Sequence, residues 1–312
     1  MQIITSFVPY LILWVLMVLS LNVSPWITLA LSIPAAGFLV RIFIIFHDCG
    51  HGSFTKSKKW NRIIGIIAGI LVFTPYDRWT DSHREHHMTV GNLDKRGRGD
   101  VWTLTVQEYM ALSPWKRFIY STFRNPLIMI VIGGFLMFML GNRITRKWNT
   151  LKQKRNIYLT NVIIAIIAAV MCLLIGWKAY LFIQLTVMFF AAMAGVYLFY
   201  LQHQYEDVIW TRDENWNYKE MALKGSSFFK LPGLLRWFTG SIGYHHIHHL
   251  GPTIPNYNLV KCHKENPQFQ EVKPITFFTS FKSLSIRLWD EKYQKVVSFR
   301  QMRKLHPARV RV

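Results

Sequence analysis

The sequence has few cysteines and few acidic residues for its length. Of 312 residues three are cysteine, and Asp and Glu together number 16 against 37 Lys and Arg. The cysteines, Cys49, Cys172 and Cys262, are too few and too widely separated for a disulfide framework or a cysteine-rich zinc site. The scarcity of cysteine therefore predicts a reducing compartment.

A cleavable signal peptide and internal repeats are also missing. No basic region precedes the first apolar run and no small-residue cleavage site follows it, so we expect a retained signal anchor. No repeat or low-complexity segment interrupts the chain. We therefore expect residues 1–312 to form one membrane-bound domain.

The net charge of +21 is not accompanied by a nucleic-acid-binding motif. Most basic residues lie beside apolar blocks, as they do in the cytoplasmic loops of membrane proteins. We therefore expect no nucleic acid as a partner, although a basic cytosolic face could steer an acidic protein partner.

Apolar residues make up 51% of the chain and collect into long blocks. A helix needs about 20 apolar residues to cross roughly 30 Å of hydrocarbon. Four blocks have this length, and very short links at Ser24-Pro25 and around Lys178 join them in pairs. The sequence therefore predicts an all-α integral membrane protein with two transmembrane hairpins, at about residues 7–23, 26–46, 157–177 and 179–202.

Nearly all the charge lies in two long segments, 47–156 and 203–312, and the positive-inside rule places both in the cytoplasm. Within the first, the shorter apolar runs Ile63–Phe73 and Pro126–Leu140 have basic residues at both ends. We expect them to be interfacial or re-entrant, the alternative being six crossings. The stretch SFFKLPGLLRWF at 227–238 is predicted to be interfacial and amphipathic. Together the long segments would form a cytosolic helical cap.

Nine of the twelve histidines follow a regular pattern. HDCGH at 47–51 has the spacing HxxxH, whereas HREHH at 83–87 and HHIHH at 245–249 contain HxxHH. On a helix, residues three and four apart share a face, so each cluster can aim two or three imidazoles at one point. Each cluster lies at the end of a predicted span or in a cytoplasmic segment, as does the histidine of YLQHQYED. All nine histidines are therefore predicted to lie on one side of the membrane, where they can converge. The candidate ligands are His47, His51, His83, His86, His87, His203, His245, His248 and His249.

Nine imidazoles are more than one ion can use, so the pattern predicts two metal ions. His246 would point away from the shared face, and His263 and His306 are isolated, so these three are not predicted ligands. A structural zinc takes four ligands, often cysteine, and Glu85 is misplaced for the HExxH motif of zinc proteases. Iron with open positions for O2 fits better and suits oxidation of an apolar chain.

These motifs resemble the histidine boxes of membrane fatty-acid desaturases. HDCGH, HREHH and HHIHH are similar to the three boxes, and FYLQHQYED resembles a fourth histidine motif of the acyl-lipid branch. The similarity extends to GNLDKRGRGDVWTLTVQEY, NWNYKEMALKGSSFFKLP and GYHHIHHLGPTIPNYNL, so it covers nearly the whole chain. The sequence looks most like bacterial desaturases of phospholipid acyl chains, of the Δ5 and Δ12 types.

The resemblance implies two iron ions held by the nine histidines, O2 as oxidant, and insertion of a cis double bond into a phospholipid acyl chain held in a narrow tunnel. No segment looks like cytochrome b5, so electrons would come from a separate carrier, ferredoxin or flavodoxin. The enzyme would lie in a bacterial plasma membrane with its active site on the cytoplasmic side. Two features depart from the family: the chain begins almost at its first span, and Ser241 stands where we expect asparagine.

Acidic neighbours of the ligands are candidates to orient them. Asp48, Glu206 and Asp207 could accept the free N–H groups of metal-bound imidazoles and fix their tautomers. Histidine boxes alone also leave open a hydroxylase or ketolase on the same scaffold. A metal transporter is disfavoured, because transporters place polar ligands near the bilayer midplane, whereas these histidines lie at or beyond the span ends.

Overall fold

The computed structural model describes residues 1–97 and 99–307, which are mostly helical. The chain forms two compact units, each assembled from separate segments. The first unit comprises Met1–Asp81, Ile130–Val196 and Trp237–Ser241. The second unit comprises Ser82–Met129, Tyr197–Arg236 and Ile242–Val312.

The long apolar blocks fold as helices close to the predicted bounds. These helices are α1 (Ile4–Ser20), α2 (Pro25–His51), α8 (Leu151–Ile175) and α9 (Trp177–His203). Three of them, α2, α8 and α9, are long and apolar enough to cross a membrane. Helix α1 has 17 residues and rises about 25 Å, so it falls just short of that length. Among the described residues the count is three, or up to four if α6 (Pro114–Phe123) and Leu127–Arg143 form one broken span, so a total of four is not confirmed.

Local sequence explains where these helices begin and end. Ser24 accepts a hydrogen bond from the backbone N–H of Trp26, and Pro25 occupies the first helical position of α2, where it needs no donor. Thr150 and Gln153 form a reciprocal capping box at the start of α8. The link between α8 and α9 is the single residue Gly176, two residues before the predicted position around Lys178.

After HDCGH, the first unit continues with α3 (Lys58–Leu71) and the beginning of α4 (Tyr76–Thr89). Helix α3 packs on α2. Asn61 closes the loop between α2 and α3, since its Nδ2 donates to the Gly52 carbonyl at 2.8 Å. The hydroxyl of Tyr76 donates to the Cys49 carbonyl at 2.7 Å. The start of α4 is thereby tied to the histidine end of α2.

The run predicted as Pro126–Leu140 does not form a regular α-helix throughout. A π-helix, Leu127–Gly133, continues into α7 (Gly134–Met139) and a short 3-10 turn at Gly141–Arg143. A π-helical stretch is uncommon and often marks a functional position.

The second unit combines short helices with two small sheets. Its further helices are α5 (Val106–Ala111), α10 (Tyr218–Lys224), α12 (His245–Leu250), α13 (Asn256–Glu265), α14 (Pro267–Gln270), α15 (Phe277–Ser283), α16 (Phe299–Leu305) and, up to Arg236, α11 (Gly233–Phe238). The strands are β1 (Leu104–Thr105), β2 (Phe228–Lys230), β3 (Pro274–Thr276), β4 (Leu288–Asp290) and β5 (Lys295–Val297). Strand β4 pairs in parallel with β1 and antiparallel with β5, while β2 pairs in parallel with β3. One apolar core, which includes Val106, Tyr120 and Leu288, lies against the first sheet.

The sequence did not predict these strands, and one of them corrects a prediction. The stretch 227–238 is not one continuous amphipathic segment, because Phe228–Lys230 forms β2, with Phe228 and Phe229 buried. Only α11 has the predicted surface character, with Leu234 and Trp237 exposed.

Candidate metal centre

Four buried histidines of the second unit bring their ring nitrogens together. His86 comes from α4, His203 is the last residue of α9, and His245 and His249 lie one turn apart on α12. The Nε2 atoms of His86 and His203, of His203 and His245, and of His245 and His249 are each 3.0 Å apart. One potential ligand atom from each of the four lies within 4.8 Å of the others, so this four-histidine group could hold a metal ion.

The end of α9 is held by the segment that follows α10. The backbone N–H of Ser227 donates to the Gln202 carbonyl at 2.9 Å, and its hydroxyl donates to the Leu201 carbonyl at 3.0 Å. Two carbonyls left without helical partners at the end of α9 are thereby satisfied. The Gly225 carbonyl accepts from Nδ1 of His203 at 3.1 Å. This bond places the proton of His203 on Nδ1 and turns Nε2 toward the group.

A loop carboxylate holds His86 in the same way. Oδ1 of Asp100 lies 2.5 Å from Nδ1 of His86, and both side chains are buried. The loop can approach α4 closely because Gly99 has a positive φ of 78°, and a Cβ at that position would lie 3.1 Å from the His86 Cβ. Asp100 therefore fixes the tautomer that leaves Nε2 of His86 without a proton.

The two fixed tautomers explain why this arrangement suits a cation. With Nδ1 of His86 donating to a carboxylate and Nδ1 of His203 donating to a carbonyl, each Nε2 of the neutral rings carries a lone pair. Two lone pairs that face each other at 3.0 Å repel and cannot form a hydrogen bond. A metal ion between them would convert the repulsion into coordination, so the residues fit a metal.

Helix α12 presents its histidines from a closely packed turn. A Cβ on Gly243 would lie 2.2 Å from the Phe229 carbonyl oxygen, and the Gly243 carbonyl accepts the backbone N–H of Phe229 at 2.7 Å. Only glycine therefore permits this approach of the pre-helical segment to β2. The hydroxyl of Tyr218 donates to the His249 carbonyl at 2.6 Å and ties α10 to α12.

Burial sets the charge state of His249. Removal from water, and secondarily the imidazoles of His87, His245, His203 and His86, lower the pKa of His249 well below its usual value. The ring is therefore neutral near pH 7, which is the form that binds a metal.

The five remaining candidate ligands belong to different units, three of them to the second unit and two to the first. In the second unit, Nε2 of His87 lies 3.2 Å from Nε2 of His83 and 3.0 Å from Nε2 of His248. In the first unit, the rings of His47 and His51 have their centroids 4.8 Å apart on the last turns of α2. Nδ1 of His47 lies 3.0 Å from Oδ1 of Asp48, the contact expected of an orienting carboxylate.

The structure places the other acidic candidates differently from the sequence prediction. Glu206 and Asp207 are exposed, and Asp207 lies 3.3 Å from Nζ of Lys273. Asp100 and the Gly225 carbonyl occupy the orienting positions instead. The stretch GNLDKRGRGDVW contains Asp100, but nothing in its spacing relates that residue to a histidine.

The three histidines that were not predicted as ligands, His246, His263 and His306, are not part of the histidine groups described above. The His246 ring contacts Phe228, His263 and Phe269, whereas His306 lies 2.6 Å from Asp290. Among the described residues, none of these three histidines belongs to a group that could hold a metal.

Sequence comparison establishes the family. The model of the fatty acid desaturase family matches residues 24–280, more than half of the chain. The chain therefore belongs to the fatty acid desaturase family, and its membrane helices and histidine clusters agree with that membership. The family resemblance inferred from the histidine motifs is confirmed.

Individual relatives refine the comparison. The chain is 48% identical over 302 residues to a fatty acid desaturase of Bacillus subtilis, an alignment that covers 97% of this chain and 86% of the relative. It is 28% identical over 249 residues to the sn-1 acyl-lipid omega-3 desaturase (ferredoxin) of Synechocystis, covering 75% and 64%. It is 29% identical over 262 residues to the endoplasmic reticulum omega-3 fatty acid desaturase of Vigna radiata, covering 78% and 66%.

Proposed function

We propose that this protein is an O2-dependent acyl-lipid desaturase that inserts a cis double bond, of the Δ5 or Δ12 type, into the acyl chain of a membrane phospholipid. The observation that carries the proposal is the four-histidine group, in which Asp100 and the Gly225 carbonyl leave lone pairs facing inward. Membership of the desaturase family supplies the reaction class.

The metal proposed is iron, with two ions per chain. Neutral imidazole nitrogens suit iron among several transition metals, and iron would supply the O2 chemistry that the proposed reaction needs. His86, His203, His245 and His249 would hold one ion. For the other ion we propose the remaining histidines of the sequence motifs, which are His47, His51, His83, His87 and His248.

Iron bound by these residues would supply the activation of O2 and the removal of two hydrogens from an unactivated methylene pair. The chain itself orients the ligands and excludes water. Asp100 holds a proton at Nδ1 of His86, and the Gly225 carbonyl holds one at Nδ1 of His203, so neither ring can turn or switch tautomer without losing a buried hydrogen bond. His86 and His249 are fully buried, which keeps bulk water from the metal-facing nitrogens.

We propose a bacterial plasma membrane as the location, with the histidines on the cytoplasmic side. Three candidate spans and the basic segments 47–156 and 203–312 support this orientation. The electron donor would be a separate ferredoxin or flavodoxin. Three relatives carry ferredoxin in their names, and the positive charge of the chain suits an acidic carrier.

Reconstitution with defined components tests the proposal. Iron-loaded protein in phospholipid nanodiscs would be mixed with reduced ferredoxin and O2, and released acyl chains would be analysed by mass spectrometry with double-bond localisation. We expect a product two hydrogens lighter than its substrate, formed by the intact chain and not by His86→Ala. A product heavier by one oxygen would instead identify a hydroxylase. The absence of any product from iron-loaded protein with either ferredoxin or flavodoxin would contradict the proposal.

A further inference from the structure

Two arginines of the first unit lie together without an acidic partner among the described residues. Arg78, on α4, donates through Nη1 to the carbonyls of Gly141 and, more weakly, Ile144, at 3.1 and 3.4 Å. Arg143 donates through Nη2 to the Phe73 carbonyl. The charges of Arg78 and Arg143 interact, as do those of Arg78 and Arg146. We refer to Arg78, Arg143 and Arg146 as the arginine cluster.

The donors of Arg143 are only partly satisfied. Its Nε and Nη1 atoms are buried and have no hydrogen-bond partner within residues 1–97 and 99–307. A buried polar group left without a partner costs about 1–3 kcal/mol, and more when it is charged. Burial first, and then the charge of Arg146, lower the pKa of Arg78, so this region disfavours positive charge as it stands.

Nearby carboxylates are committed to other cations or amides. Asp77 accepts both Nη atoms of Arg62, at 2.6 and 3.0 Å, and lies 3.2 Å from Nζ of Lys152. Oδ2 of Asp81 accepts Nε2 of Gln153 at 2.9 Å. No salt bridge joins a carboxylate of the described chain to any member of the arginine cluster. An anion from outside the chain would therefore satisfy both the orphaned donors and the uncompensated charge.

The surroundings of the arginine cluster indicate which kind of anion would bind there. Large apolar side chains are exposed next to it, with Ile144 50%, Trp148 60% and Leu151 79% exposed. Leu151 begins α8, a candidate membrane span. Exposed apolar and aromatic side chains that alternate with basic ones at the start of a span are typical of the membrane interface, where phospholipid phosphates lie.

We propose that the arginine cluster binds the phosphodiester of a membrane phospholipid. Planar guanidinium groups suit phosphate oxygens because they can donate two parallel hydrogen bonds. The site is distinct from the histidine groups, and its occupancy can be measured without turnover. Failure of this proposal would therefore be distinguishable from failure of the proposed desaturase reaction.

Binding would be measured on the full, iron-loaded chain, stripped of lipid in a maltoside detergent. The shift in the unfolding midpoint would be recorded against dioleoyl phosphatidylglycerol, against dioleoylglycerol, which has the same chains and no phosphate, and against inorganic phosphate. We expect a saturable upward shift with phosphatidylglycerol, none with dioleoylglycerol, and one with inorganic phosphate only at far higher concentration. Equal shifts with the two diacyl lipids would contradict a phosphate site, and equal potency of inorganic phosphate would assign the cluster to free phosphate.

Three variants separate binding from folding. Arg143→Gln should weaken phosphatidylglycerol binding about tenfold or more. Lys147→Gln makes the same charge change at an exposed neighbour and should leave the affinity unchanged. Asn142→Ala removes another donor to the Phe73 carbonyl, so it should lower the unfolding midpoint without changing the affinity. If Arg143→Gln does not fold, Arg78→Gln is measured in its place, and unchanged affinity in whichever variant folds would overturn the proposal.

Discussion

Asp100 and His86 form a buried pair in which Oδ1 of the carboxylate lies 2.5 Å from Nδ1 of the imidazole. The pair joins a loop to α4 and directs the opposite nitrogen of the ring toward three other histidines. A carboxylate in this position also raises the basicity of the ring as a ligand.

Replacement of Asp100 tests this orienting role. In Asp100→Asn the side chain can donate as well as accept, so it no longer enforces the Nδ1–H tautomer of His86. We expect desaturase activity to fall about 10- to 100-fold at unchanged protein level. Asp207→Asn is the matched control, because Asp207 is exposed and paired with Lys273. Equal losses in the two variants would show that Asp100 has no special role.

Two neighbouring histidines on α12 should respond differently to the same substitution. His249→Gln removes a member of the four-histidine group and should abolish the unsaturated product when the protein is expressed in a host without straight-chain unsaturated acids. His246→Gln changes a buried ring that lies among Phe228, His263 and Phe269, and should retain activity if the variant folds. Lipid analysis of both strains, with protein levels matched by immunoblot, makes the comparison. Loss of product in a folded His246→Gln protein would require a different ligand set.

His246 should also make the protein less stable in acid. Burial, and secondarily the charge of His263, lower the pKa of His246 from 6.5 to about 4. Between these two values the unfolded chain binds a proton that the folded chain does not, so stability falls as the pH decreases from about 6.5 to about 4. The full effect is roughly 3 kcal/mol. We expect His246→Phe to show a smaller loss of unfolding midpoint over this range than the unaltered chain, and parallel pH profiles would contradict the assignment.

Ser241, at which the sequence analysis expected asparagine, occupies a left-handed turn. Ser241 has φ of 60°, a conformation that asparagine and glycine adopt more readily than other residues. We therefore expect Ser241→Asn to stabilise the protein by a few tenths to about 1 kcal/mol. Ser241→Val, whose branched side chain is strained at positive φ, should destabilise it. Thermal unfolding of the pair provides the measurement, and a lower midpoint for Ser241→Asn would contradict this explanation.

The sequence predicted the features that depend on local pattern. Helices α2, α8 and α9 follow from hydropathy. The HxxHH spacing predicted one shared face per cluster, whereas the structure divides each cluster between two groups, with His86, His245 and His249 in one and His83, His87 and His248 in the other. The sequence did not predict Asp100 as the partner of His86, because that contact joins a loop to a helix and depends on the tight approach at Gly99. Strand β2 was missed for a related reason, since three residues paired with a distant segment leave no periodic signal.

The metal content of the purified protein tests the central claim most directly. Protein purified anaerobically and loaded with ferrous iron would be analysed for iron and zinc per chain and examined by Mössbauer spectroscopy. Two histidine-bound ions predict close to two irons per chain, and about one in a folded His249→Gln variant. Binding of at most one iron by the unaltered chain, or iron content unaffected by His249→Gln, would contradict the account.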